Sequence, residues 1–344
     1  LSNSPEDSGS FSISMMAGAV DDPPDYQVGE ELTTPMVRGQ AKVYDLLGVK
    51  QGDTITIVTN HSVENSQAYA SIVSLDGEYA LAKYYMSYYG SDQDSSKFTR
   101  VYEILGEGPY KLVFTAPDGD AYLKADMGDA LANNSGSIQY GQTVDATLQA
   151  ERVDTWYFQP NPGDGLKFTL KRQNSGYLYL YGPKFEDKYI YAQAYGYEGE
   201  VILGPFEVPV EGEYTIVVQD YSQDNSPYQL TLEVVALPEP TNQPITSGET
   251  VNGTLIGGRQ DQYTFEGLSG QTITVHLTAA EDAWYLYPEM KLLGPDGEVI
   301  METQTYYQEI LWGPLELLAD GTYTLLVSGS MQSGTYDLSL EISE

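Results

Sequence analysis

His61 and His276 are the two imidazoles in a chain of 344 residues, and so the two side chains whose ordinary pKa suits proton transfer near neutral pH. His276 falls in Thr272-Ile-Thr-Val-His-Leu-Thr278. There Ile273, Val275 and Leu277 share one face of an extended segment and His276 takes the other, so it is expected in solvent. The sequence contains no Gly-x-Ser-x-Gly elbow and no His-Glu-x-x-His helix. Carboxylate pairs of the kind that cleave glycosides arise by chance among 50 acidic residues. The expectation is a protein without catalytic activity.

Carboxylates suit calcium better, because that ion takes several hard oxygen ligands from loops and side chains. Asp92-Gln-Asp94 lacks the glycine and terminal glutamate of an EF-hand loop. Asp154 and Asp261 are the sharper candidates. Each stands just before an aromatic strand, Trp156-Tyr-Phe158 or Tyr263-Thr-Phe265, and the two are 107 residues apart. Two roles fit that position: a calcium ligand, or an Asx cap on the turn that enters the strand.

Tyrosine is abundant, at 30 residues. In Tyr177-Leu-Tyr-Leu-Tyr181 the rings of Tyr177, Tyr179 and Tyr181 line one face, and Tyr189-Ile-Tyr191 repeats the alternation on what reads as the partner strand of a hairpin. Such an aromatic face either stabilises its own sheet or meets another molecule, with collagen or polysaccharide as candidate ligands.

A fourth pattern lies at residues 10–18. Ser10-Phe-Ser-Ile-Ser-Met15 alternates small polar with large apolar residues, placing Phe11, Ile13 and Met15 on one side. The acidic, proline-containing stretch Ala19-Val-Asp-Asp-Pro-Pro-Asp25 follows, and about ten extended residues reach roughly 35 Å. The segment is a candidate donor strand, docking either on its own first domain or on a neighbouring subunit. The second mode is strand addition, and repeated head to tail it builds a filament.

The rest of the chain supplies the scaffold. Gly141-Gln-Thr-Val-Asp-Ala-Thr-Leu148 returns as Gly248-Glu-Thr-Val-Asn-Gly-Thr-Leu255, and Glu211-Gly-Glu-Tyr214 as Asp320-Gly-Thr-Tyr323. Tyr228-Gln-Leu-Thr-Leu232 closes one repeat and Tyr336-Asp-Leu-Ser-Leu340 the next. Gly52-Asp-Thr-Ile-Thr-Ile57 and Gly106-Glu-Gly-Pro-Tyr110 mark a more degenerate repeat ahead of both. A period of this length means whole domains. Short β-branched runs and frequent turns predict an all-β chain of three tandem antiparallel β-sandwich domains of jelly-roll type, preceded by a strand-like extension. The expected division is 1–28 extension, 29–126 divergent sandwich, 127–139 Gly/Asn/Ser-rich linker, 140–236 sandwich, 237–246 Pro-rich linker and 247–344 sandwich.

These repeats resemble the bacterial pre-peptidase C-terminal domain. The resemblance rests on Asp154-Thr-Trp-Tyr-Phe158, Pro162-Gly163 and the closing Tyr-x-Leu-x-Leu, and on Asp261-Gln-Tyr-Thr-Phe265, Ser269-Gly270 and Gly334-Thr-Tyr336. It covers residues 140–236 and 247–342. The first repeat departs from it, with Lys42-Val-Tyr-Asp-Leu46 where the Asp-x-Tyr-x-Phe segment would stand. The resemblance implies a β-sandwich appended to secreted hydrolases, sometimes calcium-stabilised, with a related domain binding substrate in collagenases. It does not imply catalysis.

Charge narrows the partners. Fifty acidic against 16 basic residues leave a net charge of −34, which repels nucleic acid and anionic lipid. No apolar run approaches the about 18 residues of a membrane span, and no basic-then-apolar leader opens the chain, so the expectation is a soluble, mature extracellular or cell-surface protein. The absence of cysteine excludes disulfides and zinc thiolates. The favoured function is a structural subunit that assembles with copies of itself through Phe11, Ile13 and Met15. The alternative is a collagen- or polysaccharide-binding or secretion-assisting appendage of a secreted hydrolase.

Overall fold

The computed structural model describes residues 23–63, 67–74, 81–87, 97–104, 106–150, 152–173, 175–185, 188–197, 199–220, 225–280, 286–305, 307–329, 331 and 333–344, with the backbone alone at 81–87, 184–185 and 188–189. Phe11, Ile13 and Met15 lie outside the described residues. The chain forms two compact units, Leu1–Ala130 and Leu131–Glu344. Every regular element described is a β-strand. This agrees with the all-β expectation.

The first unit holds β1 (Asp25–Gln27), β2 (Glu31–Met36), β3 (Ala41–Leu47), β4 (Thr54–His61), β5 (Tyr69–Ser74), β6 (Leu81–Ser87), β7 (Phe98–Glu103), β8 (Tyr110–Thr115) and β9 (Gly119–Met127). The second unit opens with β10 (Ala132–Ser137), β11 (Thr143–Leu148), β12 (Val153–Phe158), β13 (Gly165–Arg172), β14 (Gly176–Phe185), β15 (Lys188–Gly196), β16 (Gly199–Glu207), β17 (Tyr214–Gln219) and β18 (Ser226–Val234). It continues with β19 (Asn242–Pro244), β20 (Glu249–Leu255), β21 (Asp261–Gly267), β22 (Thr272–Ala279), β23 (Glu289–Leu293), β24 (Val299–Gln304), β25 (Glu309–Glu316), β26 (Gly321–Ser328) and β27 (Gly334–Ser343).

The strand orders repeat in steps of nine. The second set forms sheets β10-β12-β17-β14-β15 and β11-β18-β13-β16, and the third forms β19-β21-β26-β23-β24 and β20-β27-β22-β25. The first set runs β1-β3-β8-β5 and β2-β9-β4-β7-β6. One strand has changed sheets: the sixth joins the seventh in the first set and the fifth in the other two. Each set encloses an apolar cluster built from the inward residues of both sheets, with Leu112, Ile216 and Leu325 among its fully buried members.

Stretches read as connections turn out to hold strands. β1, β10 and β19 lie in the segments assigned to the extension and the two linkers, and each pairs parallel to the third strand of its set. Their composition hides them. An edge strand needs ladder partners on one side only, so Pro244 and the Asn/Gly-rich β10 are tolerated there.

Candidate functional site

Three places gather polar or aromatic side chains beyond what a sandwich core requires. The first is the recurring acid. Leu46, Phe158 and Phe265 oppose the buried Tyr110, Tyr214 and Tyr323, which aligns the third strands of the three sets. Four residues earlier stand Lys42, Asp154 and Asp261. Both aspartates are buried, at 0% and 2% exposure.

A buried carboxylate must be matched by donors, and each aspartate is. The Asn134 backbone N–H and Asn133 Nδ2 donate to Asp154 Oδ1 at 2.9 and 3.0 Å. Asn134 Nδ2 and the Tyr228 hydroxyl donate to Oδ2 at 2.8 and 2.6 Å, and Trp156 Nε1 donates to the Tyr228 oxygen at 2.9 Å. In the third set the Thr241 N–H donates to Asp261 Oδ1 at 2.7 Å and the Tyr336 hydroxyl to Oδ2 at 2.6 Å, with Tyr263 and Tyr336 hydroxyls 2.8 Å apart. Burial first, and then the adjacent carboxylate, pushes the Tyr228 and Tyr336 hydroxyls well above the ordinary phenol range.

Each aspartate is therefore a clamp rather than a cap on its own turn. It ties the edge strand or its lead-in, at Asn134 or Thr241, to the last strand of the set, at Tyr228 or Tyr336. For the tyrosine partner alone the sequence held a signal, because the closing Tyr-x-Leu-x-Leu recurs in step with the acid. A cation at Asp154 would displace four donated hydrogen bonds. Among the described residues no three His, Asp or Glu side chains converge on a common point.

The first set builds this place differently. The residue opposite the end of the fourth strand is Ala121 there, where the others have Tyr228 and Tyr336, and the facing residues are His61, Arg172 and Ala279. Lys42 Nζ donates to Thr34 Oγ1 instead of a carboxylate accepting from a tyrosine. Arg172 forms a fully buried pair with Asp220.

The second place is the tyrosine hairpin. β14 and β15 pair antiparallel as expected, with Tyr177 opposite Tyr195, Tyr179 opposite Gln193 and Tyr181 opposite Tyr191. Ring centroids lie 4.3 Å apart for Tyr177–Tyr195, 5.9 Å for Tyr177–Tyr179 and 5.4 Å for Tyr181–Tyr191. Tyr179 is buried, whereas Tyr191 and Tyr197 are exposed. A register shift between Tyr181 and Lys184 sets Tyr189 opposite Lys184, and Tyr195, in register with Tyr177, belongs to the ladder as well. The Tyr189 side chain is outside the described set.

The third place joins the two sandwiches of the second unit. Phe206 bridges Gly257 in parallel, and the Glu207 N–H donates to the Gly257 carbonyl at 2.8 Å. Gly257 N–H donates to Ser333 Oγ at 2.9 Å, and that hydroxyl donates to the Pro205 carbonyl. Arg259 pairs with Glu207 and also donates to the Pro238 carbonyl, while Met331 packs into the core of the preceding sandwich. Gly258 has φ +79°, and a Cβ there would fall 2.5 Å from the Glu207 carbonyl oxygen. That position needs glycine on both counts.

The two histidines lie in different sets, on β4 and β22. His61 is buried, with Nε2 3.2 Å from the Pro117 carbonyl and Nδ1 accepting from the Val63 N–H at 3.2 Å. His276 faces solvent as expected, and Glu309 and Thr278 both address its Nε2, at 2.6 and 3.2 Å. A surface hydrogen bond uses a histidine this way. A relay would use both ring nitrogens.

No family model matches the chain, and no curated protein matches it. Among solved structures it is similar to the pre-peptidase C-terminal domain of a collagenase from Bacillus anthracis, at 24% identity over 30% of this chain and 100% of that one, TM-score 0.26. It is also similar to PliG, a periplasmic inhibitor of g-type lysozyme from Aeromonas hydrophila, at 16% identity over 30% of this chain and 98% of that one, TM-score 0.25. Tripeptidyl peptidase 2 aligns with 92% of this chain and 32% of its own length at 9% identity, TM-score 0.26. At these TM-scores, function has to be argued from the chain's own residues.

Proposed function

We propose that the chain is a non-catalytic extracellular or cell-surface structural protein. Its subunits assemble head to tail, each donating residues 10–18 as a strand to the next, with Phe11, Ile13 and Met15 as the buried side chains. The observation that carries this reading is the joint between the second and third sets. A filament subunit must transmit force from one end to the other, and main-chain hydrogen bonds, a buried methionine and a charged pair at Arg259 turn two sandwiches into one stiff body.

The composition supports the location. A net charge of −34 keeps such a protein soluble and away from nucleic acid and anionic lipid, and no described helix is long and apolar enough to cross a membrane. Imaging tests the assembly: negative-stain micrographs of the full chain beside one lacking residues 1–20, each with and without calcium. Filaments from the full chain alone support the reading, and single particles from both contradict it. A calcium requirement would revive Asp154 and Asp261 as ligands.

The tyrosine hairpin favours a second reading, as a binding face for collagen or polysaccharide. Tyr191 is 40% and Tyr197 77% exposed, so part of the face meets solvent. Pull-down on insoluble collagen and polysaccharide, compared with Tyr191→Ala and Tyr197→Ala chains, tests that reading.

A further inference from the structure

The joint inside the second unit brings together two different ends of a sandwich. The second set contributes the end of β16, where Glu207 opposes Gly165 and the Val208 N–H donates to the Asp164 carbonyl at 3.0 Å. The third set contributes the turn between β20 and β21. There the Arg259 N–H donates to the Ile256 carbonyl at 2.9 Å, Ser333 Oγ takes the Gly257 N–H, and the Gly257 carbonyl is left to accept from Glu207.

Both ends recur in the other sets. At the end of β25, Glu316 opposes Thr272 and the Leu317 N–H donates to the Gln271 carbonyl at 2.8 Å, which is the build of the Glu207 end. Glu316 is exposed, and so are Leu268 and Leu318 on the two adjoining turns, Leu318 at 82%. Between β2 and β3 the Gln40 N–H donates to the Val37 carbonyl at 3.0 Å and the Arg38 N–H to Asp118 Oδ1 at 2.9 Å, which is the build of the Gly257 turn. Gly39 has φ +81° where Gly258 has +79°. The place a Cβ would take is blocked by the Glu207 carbonyl at Gly258 and is open at Gly39. Val37 and Tyr69 are exposed beside this turn. Counted from Leu148 as from Leu255, the second set has Glu151 where the third has Gly258. A side chain at that place meets the incoming carbonyl, so the second set's turn is barred from this kind of joint.

We propose that the Glu316 end of one copy docks on the Val37–Gln40 turn of a second copy, repeating between molecules the joint that the chain makes within itself. The inference rests on the head-to-tail reading above and goes beyond the donated strand to a second contact of the same assembly. The occupant of such a turn is defined by the inner joint: it is the end of a sandwich's seventh strand, which a short extended segment such as residues 1–22 does not form. Val37 and Leu318 are both exposed in the single chain, which leaves a second copy to cover them. By the register of the inner joint, the Glu316 N–H donates to the Arg38 carbonyl and the Glu316 side chain lies beside Gln40, the counterpart of Arg259. Arg38 brings the positive charge that Arg259 supplies within the chain. A contact of this size is weak between free molecules. The donated strand raises its effective concentration, and the docked ends fix the direction of the neighbour. The contact is heterologous and open-ended.

Because the chain has no cysteine, single cysteines report the contact against a clean background. Glu316→Cys chains are mixed with Gln40→Cys chains, treated with a short thiol-to-thiol cross-linker and imaged in parallel. Glu316→Cys with Arg152→Cys, on the corresponding turn of the second set, is the control pair. A Glu207→Cys/Arg259→Cys chain, whose contact is internal, sets the yield of a formed joint. The expected result is a cross-linked heterodimer with Gln40→Cys at least tenfold above the control. Equal yields from the two mixtures would overturn the choice of the first set. Filaments with no cross-link would overturn the docking and leave strand donation standing, and cross-links without filaments would do the reverse. A Gln40→Cys/Glu316→Cys chain that closes on itself as a monomer would overturn the second copy. Dispersed particles with no cross-link would overturn both contacts.

Discussion

The first nine-strand set and the second share a strand order at all positions but one, yet they solve two problems in opposite ways. The second set covers its fifth strand with its sixth, and ties its edge strand down through Asp154 and Tyr228. The first sends its sixth strand to the other sheet and has Lys42 and Ala121 at the clamp positions. Its edge strand is held instead by Tyr26, whose hydroxyl donates to the Glu30 carbonyl at 2.6 Å and accepts from the Ala125 N–H at 2.8 Å. The contrast teaches that the sandwich tolerates rewiring at its margins while the central strands stay fixed.

The largest expected effect breaks the comparison at the clamp. Asp154→Ala leaves a buried hydroxyl, a backbone N–H and two amides without their acceptor, and should cost about 3 kcal/mol or more in chemical denaturation. Lys42→Ala in the first set should cost less than about 1 kcal/mol, since its partner is one threonine hydroxyl. Equal costs would mean that the two positions do the same job.

The joint comes next. Gly258→Val forces a side chain against the Glu207 carbonyl and out of a positive φ, and should cost roughly 2 kcal/mol. Calorimetry should then show the two sandwiches of the second unit melting separately where the parent melts them together. One shared transition in both proteins would argue that the joint carries little coupling.

Alkaline pH gives a third, smaller handle. The Tyr228 and Tyr336 hydroxyls have folded pKa values raised above an unfolded value of about 10. The folded state therefore holds protons that the unfolded chain releases. The stability they contribute is complete below pH ~10 and is lost as pH climbs from there toward the folded values. Tyr228→Phe and Tyr336→Phe should each flatten the fall in melting temperature above pH ~10. Tyr26 in the first set, raised to about 12 by burial, keeps part of the slope in both variants. The smallest effect concerns the tyrosine ladder, where a double-mutant cycle on Tyr181 and Tyr191 should return a coupling of about 0.5 kcal/mol.

Much of the scaffold was legible because alternation survives on buried strands. Ile273, Val275 and Leu277 lie inward and His276 outward, as the pattern requires. The short parallel strands were not legible, since β19 is three residues ending in proline and reads as linker when its partner β21 is unseen. The role of Asp154 was half legible: its recurrence was plain, but its partners come from strands 20 residues before and 74 after, and no local pattern joins them. Strict alternation ignores bulges, and the register shift after Tyr181 that sets Tyr189 opposite Lys184 leaves no mark in the residue pattern. The fate of β6 turns on which of two neighbouring strands it pairs with, a choice its own residues do not encode.

Imaging the full chain beside one lacking residues 1–20 tests the account most directly. The account predicts filaments from the full chain alone. Single particles from both chains, or filaments from both, would contradict it.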